Sequence, residues 1–275
     1  MLGELYEPTG KALETARAVL DTERVYACNV AKGCTNRCLY CYGSKRYRNV
    51  ENVLDLPKKP PVELIKSQLR GKGKKSKQLV EDLNRDNTGI FFSFLTDPFI
   101  EQNVKNTMDI IRYISKNFPK VRIATLTKCE YPFDFLATSL DKEWLHDHFR
   151  LGVTVVSTYE KFWKKYEPNA SNPHSRIMSL KELHDAGYYT WLSFEPDPSP
   201  IQFEHDPITD VLQRMEFVDL VVYGKWNYCK GCMGETAKNY YRKQIPRVMR
   251  FCKMKDISCF VKSETLKFVG GDRNE

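Results

Sequence analysis

Short apolar runs rich in β-branched and aromatic residues recur along this chain, and amphipathic stretches fill the gaps between them. The runs are RVYACNV (24–30), GIFFSF (89–94), VRIATLT (121–127), LGVTVVS (151–157), YTWLSFE (189–195) and VDLVVYG (218–224). They are nearly continuous rather than alternating, as strands covered on both faces are. Between Gln102 and Asn117, Val104, Met108, Ile111 and Ile114 recur at three- and four-residue steps and predict a helix with one apolar face. SRIMSLKELHDAG (175–187) repeats the pattern with Ile177, Leu180 and Leu183, and Gly187 supplies a stop. NYYRKQIPRVMRFCKMK (239–255) predicts a further helix, with Pro246 marking its first turn or a kink. SCFVKS (258–263) is a candidate seventh strand. The alternation predicts an α/β fold with a parallel sheet and right-handed crossovers. Six units fit a curved or closed βα barrel, and a doubly wound open sheet is the alternative.

Polar residues gather where the runs end. The second leads into Thr96 and Asp97, the third into Lys128 and Cys129, and the fourth into Ser157 and Thr158. The fifth leads into Glu195 and Asp197, and the sixth into Gly224, Lys225 and Asn227. Loops are polar in any protein, but in a βα barrel these ends converge on the active-site face. The first run leads into GCTNRCLYC (33–41), which puts Cys34, Cys38 and Cys41 within eight residues.

With 275 residues, 41% hydrophobic and 28% charged, the chain has the make-up of an ordinary globular protein of one large domain or two modest ones. No apolar stretch approaches the roughly 20 residues of a spanning helix. The first residues, with Glu4, Glu7 and Glu14, lack a signal-peptide pattern, so a cytoplasmic protein without a membrane partner is expected. In a reducing compartment nine cysteines, an odd number, point to metal binding or catalysis rather than disulfides. The formal charge is +8 and uneven: RGKGKKSK (70–77) carries five cations, and Lys45, Arg46 and Arg48 follow the cysteine loop. Such runs are either solvated surface or the footprint of a nucleic acid or other polyanion.

Zinc takes four ligands, usually as two separated pairs. Three thiolates in one tight loop suit three corners of a four-iron four-sulfur (4Fe-4S) cube, with the fourth iron left open. Gly33 lets the chain turn sharply ahead of the first thiol.

CTNRCLYC, with Tyr40 as the aromatic before the last cysteine, resembles the signature of the radical S-adenosylmethionine (radical SAM) enzymes. LTDP, LTK and RIMSLKELHDAGYYTWLSFEPDPSP further resemble the spore photoproduct lyase-like branch of that family. The resemblance implies a partial (βα)6 TIM-like barrel of parallel strands over 24–228, preceded by a helical extension (1–23) and followed by a cysteine-containing extension packed on the barrel (229–275). It implies a 4Fe-4S cluster on Cys34, Cys38 and Cys41, whose free iron is chelated by S-adenosylmethionine. One electron, from a donor such as flavodoxin or ferredoxin, cleaves the sulfonium. The resulting 5′-deoxyadenosyl radical abstracts hydrogen from a substrate. By the same resemblance Tyr40 meets the adenine through its main chain, Thr96 and Asp97 hold the methionyl amine, and Lys128 meets the methionyl carboxylate. Ser157 and Glu195 bind carboxylate or ribose, and Gly224 and Asn227 border the adenine. The family's usual Gly-Gly-Glu segment is absent, and LTDP stands in its place.

Cys28 reads as a buried structural thiol. Cys129 is a candidate hydrogen donor to a product radical. Cys229, Cys232, Cys252 and Cys259 are a candidate second metal site. Tyr42, Tyr159, Trp163, Trp226 and Tyr228 are candidates for base stacking or packing. His146, His148, His174, His184 and His205 show no ligand spacing. The leading reading is a radical SAM lyase or modifying enzyme acting on an unidentified substrate, with nucleic acid as one candidate class. Peptide or small-molecule modification with an auxiliary cluster is the alternative. A non-enzymatic metal-cluster nucleic-acid-binding module is the reading from another class.

Overall fold

The computed structural model describes residues 2–43, 54–132, 141–198, 201, 206 and 208–270. Eight strands form one sheet in sequential order, β1 to β8. They are β1 (Leu5–Tyr6), β2 (Arg24–Cys28), β3 (Thr88–Phe92), β4 (Arg122–Thr127), β5 (Phe149–Thr154), β6 (Tyr189–Asp197), β7 (Leu220–Lys225) and β8 (Ser258–Val261). Only β1 pairs antiparallel with its neighbour; β2 through β8 run parallel. A doubly wound sheet reverses its strand order at a switch point. Here each parallel strand lies beside its predecessor, which is the order of a partial barrel. β1 escapes sequence reading because two residues carry no period.

The connecting helices are α1 (Gly10–Leu20), α2 (Pro61–Leu69), α3 (Lys74–Leu83), α4 (Glu101–Asn117), α5 (Lys142–His148), α6 (Glu160–Tyr166), α7 (Pro173–Asp185), α8 (Glu235–Met254) and α9 (Ser263–Val269). Pro246 falls inside α8 rather than in its first turn. It stands on the exposed face, where water can satisfy the carbonyl that it deprives of a donor. The basic run 70–77 forms the exposed turn into α3 and that helix's first residues. Among the described residues no helix is long and apolar enough to cross a membrane.

Side chains alternate between the sheet's two faces, and both faces are covered. Tyr26, Ile90, Phe92, Ile123, Leu151, Leu192, Phe194 and Tyr223 belong to the large core with the connecting helices. Val25, Phe91, Ala124, Trp191, Leu220 and Val222 face the other way and pack against Ala16, Val19 and Leu20 of α1. Thus α1 fills part of the concave side. Arg122 at the start of β4 donates to the Leu20 and Asp21 carbonyls at 3.1 and 2.7 Å. At the other end Lys262 Nζ donates to Thr15 Oγ1 at 2.7 Å, and the Ser263 N–H donates to Glu14 at 2.8 Å.

Trp191 lies flat over β5, fully buried. A Cβ at Gly152 would stand 2.1 Å from its indole, so only glycine fits there. Gly152→Ala is therefore expected to cost about 1–3 kcal/mol through overpacking. Denaturant unfolding measures this as a lower midpoint at unchanged slope.

Candidate active site

After β2 the chain enters the cysteine loop, which has little regular structure. Its polar groups find partners on two flanks. On the first, Asn29 is 2% exposed; its Oδ1 accepts from Phe94 N (2.8 Å) and Leu95 N (3.0 Å), shaping the turn after β3. Gly33, at φ +93°, donates its N–H to Leu95 O at 3.0 Å. Asn36 donates Nδ2 to Asp97 at 3.0 Å. Asp97 also accepts from Lys128 N (2.7 Å), Thr127 Oγ1 (2.7 Å) and Phe99 N (3.0 Å). A carboxylate offers about four acceptor positions, and these four bonds use them. Thr96 Oγ1 accepts from Asn103 at 2.9 Å. Asp97 thus ties the loop to the end of β4, and Thr96 is held within its own turn by Asn103 near the start of α4.

On the second flank, the Leu39 N–H donates to Tyr166 O at 2.9 Å, and Asn169 Nδ2 donates to Thr35 O at 2.9 Å. Tyr40 donates its hydroxyl to Glu167, and Arg176 donates Nη2 to the other oxygen of the same carboxylate. Glu167 is 1% and Arg176 0% exposed. Arg176 is further satisfied by the carbonyls of Ser171 and Thr154. Sequence reasoning missed this pair. Its one signal is that Arg176 lies in register with Ile177, Leu180 and Leu183, on the buried stripe of α7.

Burial pushes the Cys34 thiol up to about 11, with the Asp97 charge adding to the shift. Burial also pushes Cys38 well up, opposed by the Lys128 ammonium and reinforced by the Glu167 carboxylate. Lys128 Nζ stands 5.3 Å from the centre of the Tyr40 ring. Burial works against its charge, but Cys38, Glu167 and Cys41 outweigh that and raise its pKa. Cys129 is half-buried, with its Sγ 3.9 Å from Asn36 Nδ2. Burial, helped by Asp97, pushes it up to about 12.

The remaining predicted positions lie on the far rim. Tyr40 meets Trp226 edge-on at 5.8 Å, joining the loop to the end of β7. Glu195 pairs with Lys262 at 3.1 Å, and a Cβ at Gly224 would come within 2.9 Å of the Glu195 side chain. Asn227 accepts from Lys225 Nζ and donates to Glu264, both at 2.7 Å. Ser157 accepts from Tyr159 N at 3.1 Å, a local bond at the start of α6. Trp226 is core packing against Tyr40, Tyr166 and Phe162 rather than an open stacking surface. Cys28 is fully buried in the large core. Lys45, Arg46, Arg48 and His205 lie outside the described residues.

The four later cysteines do not meet as one group. Cys232, with Cys229 packed against it, lies in the small cluster with Cys38 and Tyr40; Cys252 and Cys259 contact each other in the large core. α8 separates them, and its 20 residues span about 30 Å. A second metal site built from all four finds no support among the described residues.

Removing the Glu167 carboxylate strands a buried guanidinium. Glu167→Ala is expected to cost about 3–5 kcal/mol, whereas Tyr40→Phe, which leaves the ion pair intact, costs about 1 kcal/mol. Denaturant unfolding of the two variants checks that order.

No family model and no curated protein sequence matches the chain. Solved structures do. Spore photoproduct lyase complexed with dinucleoside spore photoproduct aligns at TM-score 0.61 and 13% identity, over 88% of this chain and 76% of that one. Streptococcus suis SuiB bound to S-adenosylmethionine aligns at 0.52 and 10% identity, over 91% of this chain and 54% of that one. SuiB bound to precursor peptide SuiA aligns at 0.55 and 11% identity, over 94% and 55%. The chain therefore spans about half the length of SuiB. The chain thus shares its fold, a partial barrel of parallel strands, with spore photoproduct lyase and SuiB.

Proposed function

We propose that this chain is a radical SAM enzyme, with a 4Fe-4S cluster on Cys34, Cys38 and Cys41 and S-adenosylmethionine on the concave face beside it. The observation that carries this reading is the clamped three-thiol loop at the carboxyl ends of the parallel strands, with the Lys128 ammonium beneath it. Among the described residues no three His, Cys, Asp or Glu side chains converge closely enough to hold one metal ion. A cube takes its thiolates on three different corners and so needs a wider spacing than a single ion does. A buried polar atom supports the reading: Trp226 Nε1, in the cluster with Cys38 and Tyr40, has no acceptor among the described residues. A bound polar cofactor satisfies such a donor.

Bound there, cluster and S-adenosylmethionine supply a 5′-deoxyadenosyl radical on arrival of one electron, from a carrier of the flavodoxin or ferredoxin class. The chain's residues do the rest. Lys128 presents a cation to the methionyl carboxylate. Glu195, held by Lys262 and given room by Gly224, faces the ribose hydroxyls. Asp97, Asn36 and Glu167 hold the loop that carries the thiols. α1 covers the concave face below and keeps water from the radical. Cys129, kept protonated by burial, retains the S–H bond that hydrogen return to a product radical requires.

A nucleic-acid substrate is favoured by the +8 charge and the exposed cations between Arg70 and Lys77. Peptide modification with an auxiliary cluster loses its support, since the four later cysteines are separated.

Anaerobic reconstitution is expected to load about four irons per chain. Dithionite and S-adenosylmethionine then give 5′-deoxyadenosine and methionine, and Cys34→Ala, Cys38→Ala or Cys41→Ala abolishes both. A fully loaded cluster that cleaves nothing returns the chain to the class of metal-cluster binding modules. Binding to a labelled oligonucleotide is expected to weaken steeply with salt; binding absent at low salt removes the nucleic-acid substrate.

A further inference from the structure

Cys229 and Cys232 form a C-x-x-C pair that the radical chemistry does not use. They stand on a short helical turn just past β7, closed by a 3.1 Å bond from Cys232 N to Cys229 O. A turn of this kind brings its end Cα atoms within about 7 Å, overlapping the roughly 4.4–6.8 Å that a disulfide spans. The two thiols hydrogen-bond to each other. Their environments differ: Cys229 is half-exposed, between exposed Tyr228 and Lys230, and Cys232 is 0% exposed. An accessible thiol backed by a buried one is the division of labour of an exchanging dithiol, in which one sulfur is attackable and the other resolves.

We propose that Cys229 and Cys232 are a redox-active dithiol at the rim of the barrel, exchanging with low-molecular-weight disulfides of the glutathione kind. The Cys229 thiolate attacks the disulfide, forming a mixed disulfide and expelling one thiolate. The Cys232 thiolate then attacks Cys229 Sγ and expels the second. The pair loses two protons and two electrons, and the incoming disulfide becomes two thiols. The reverse sequence, driven by excess thiol, restores the dithiol. The site packs against Cys38, Tyr40 and Trp226 with Cys41 alongside, so its redox state changes the wall of the three-thiol loop without supplying a ligand to it. Cys252 and Cys259 also touch, but they lie in the large core, with Cys252 0% exposed. They serve as an internal control expected to stay reduced.

The test equilibrates the anaerobically purified full chain in glutathione buffers of graded ratio, quenches with acid, alkylates, and maps the peptides by mass. Expected is one transition from two alkylated cysteines to a Cys229–Cys232 disulfide, with Cys252 and Cys259 alkylated throughout. In Cys232→Ser, Cys229 accumulates as a glutathione mixed disulfide; in Cys229→Ser, buried Cys232 remains a free thiol. Alkylation of Cys229 across the whole range overturns the proposal, and the wild-type titration decides this even if a variant folds poorly. So does the absence of mixed disulfide in folded Cys232→Ser. A stoichiometric metal ion lost from Cys229→Ser/Cys232→Ser overturns it as well, by showing the pair to be metal ligands.

Discussion

A loop without regular structure still carries a donor and an acceptor at nearly every residue, and burying them unpaired is costly. The cysteine loop meets that constraint with side chains rather than with a ladder. Asp97 collects one flank and Glu167 the other, and each carboxylate is almost wholly buried. Asp97 needs no cation in contact, because two backbone N–H groups and two side-chain donors stabilise its charge. Glu167 is paired with an equally buried arginine. A buried ion pair of this kind adds little net stability, but it is expensive to break. Its value here is positional, since Tyr40 stands between two of the three loop cysteines and is anchored by that carboxylate.

The concave face follows from a second constraint. A parallel sheet is apolar on both sides, and seven parallel strands that do not close leave an apolar hollow exposed. α1 fills its lower part with Ala16, Val19 and Leu20. Lys128 and Glu195, at the end of β4 and within β6, stay partly exposed.

The parallel strands were legible because doubly buried strands announce themselves as continuous β-branched and aromatic runs. Their order was not, since a doubly wound sheet draws on the same runs; pairing of each strand with its predecessor decides it. The cysteine spacing identified the loop. What holds the loop was hidden, because Asn29, Asn36, Glu167 and Asn169 are ordinary loop residues until the chain folds back across more than 60 positions. Asp97 was found for its place at a strand end, whereas its four donors, spread from residue 36 to residue 128, were not legible. The four later cysteines form two separate pairs because a long helix stands between them, a separation that cysteine spacing alone does not reveal.

The bonds from Lys262 to Thr15 and from Ser263 to Glu14 join residues 247 and 249 positions apart. Loop closure over such a span is entropically costly, and contacts of this range slow folding. The plug of the barrel is therefore synthesised well before the residues that fasten it. A growing chain carries its inner apolar face incompletely sealed until β8 and α9 emerge, and no truncation that removes Lys262 retains the polar seal between the two ends.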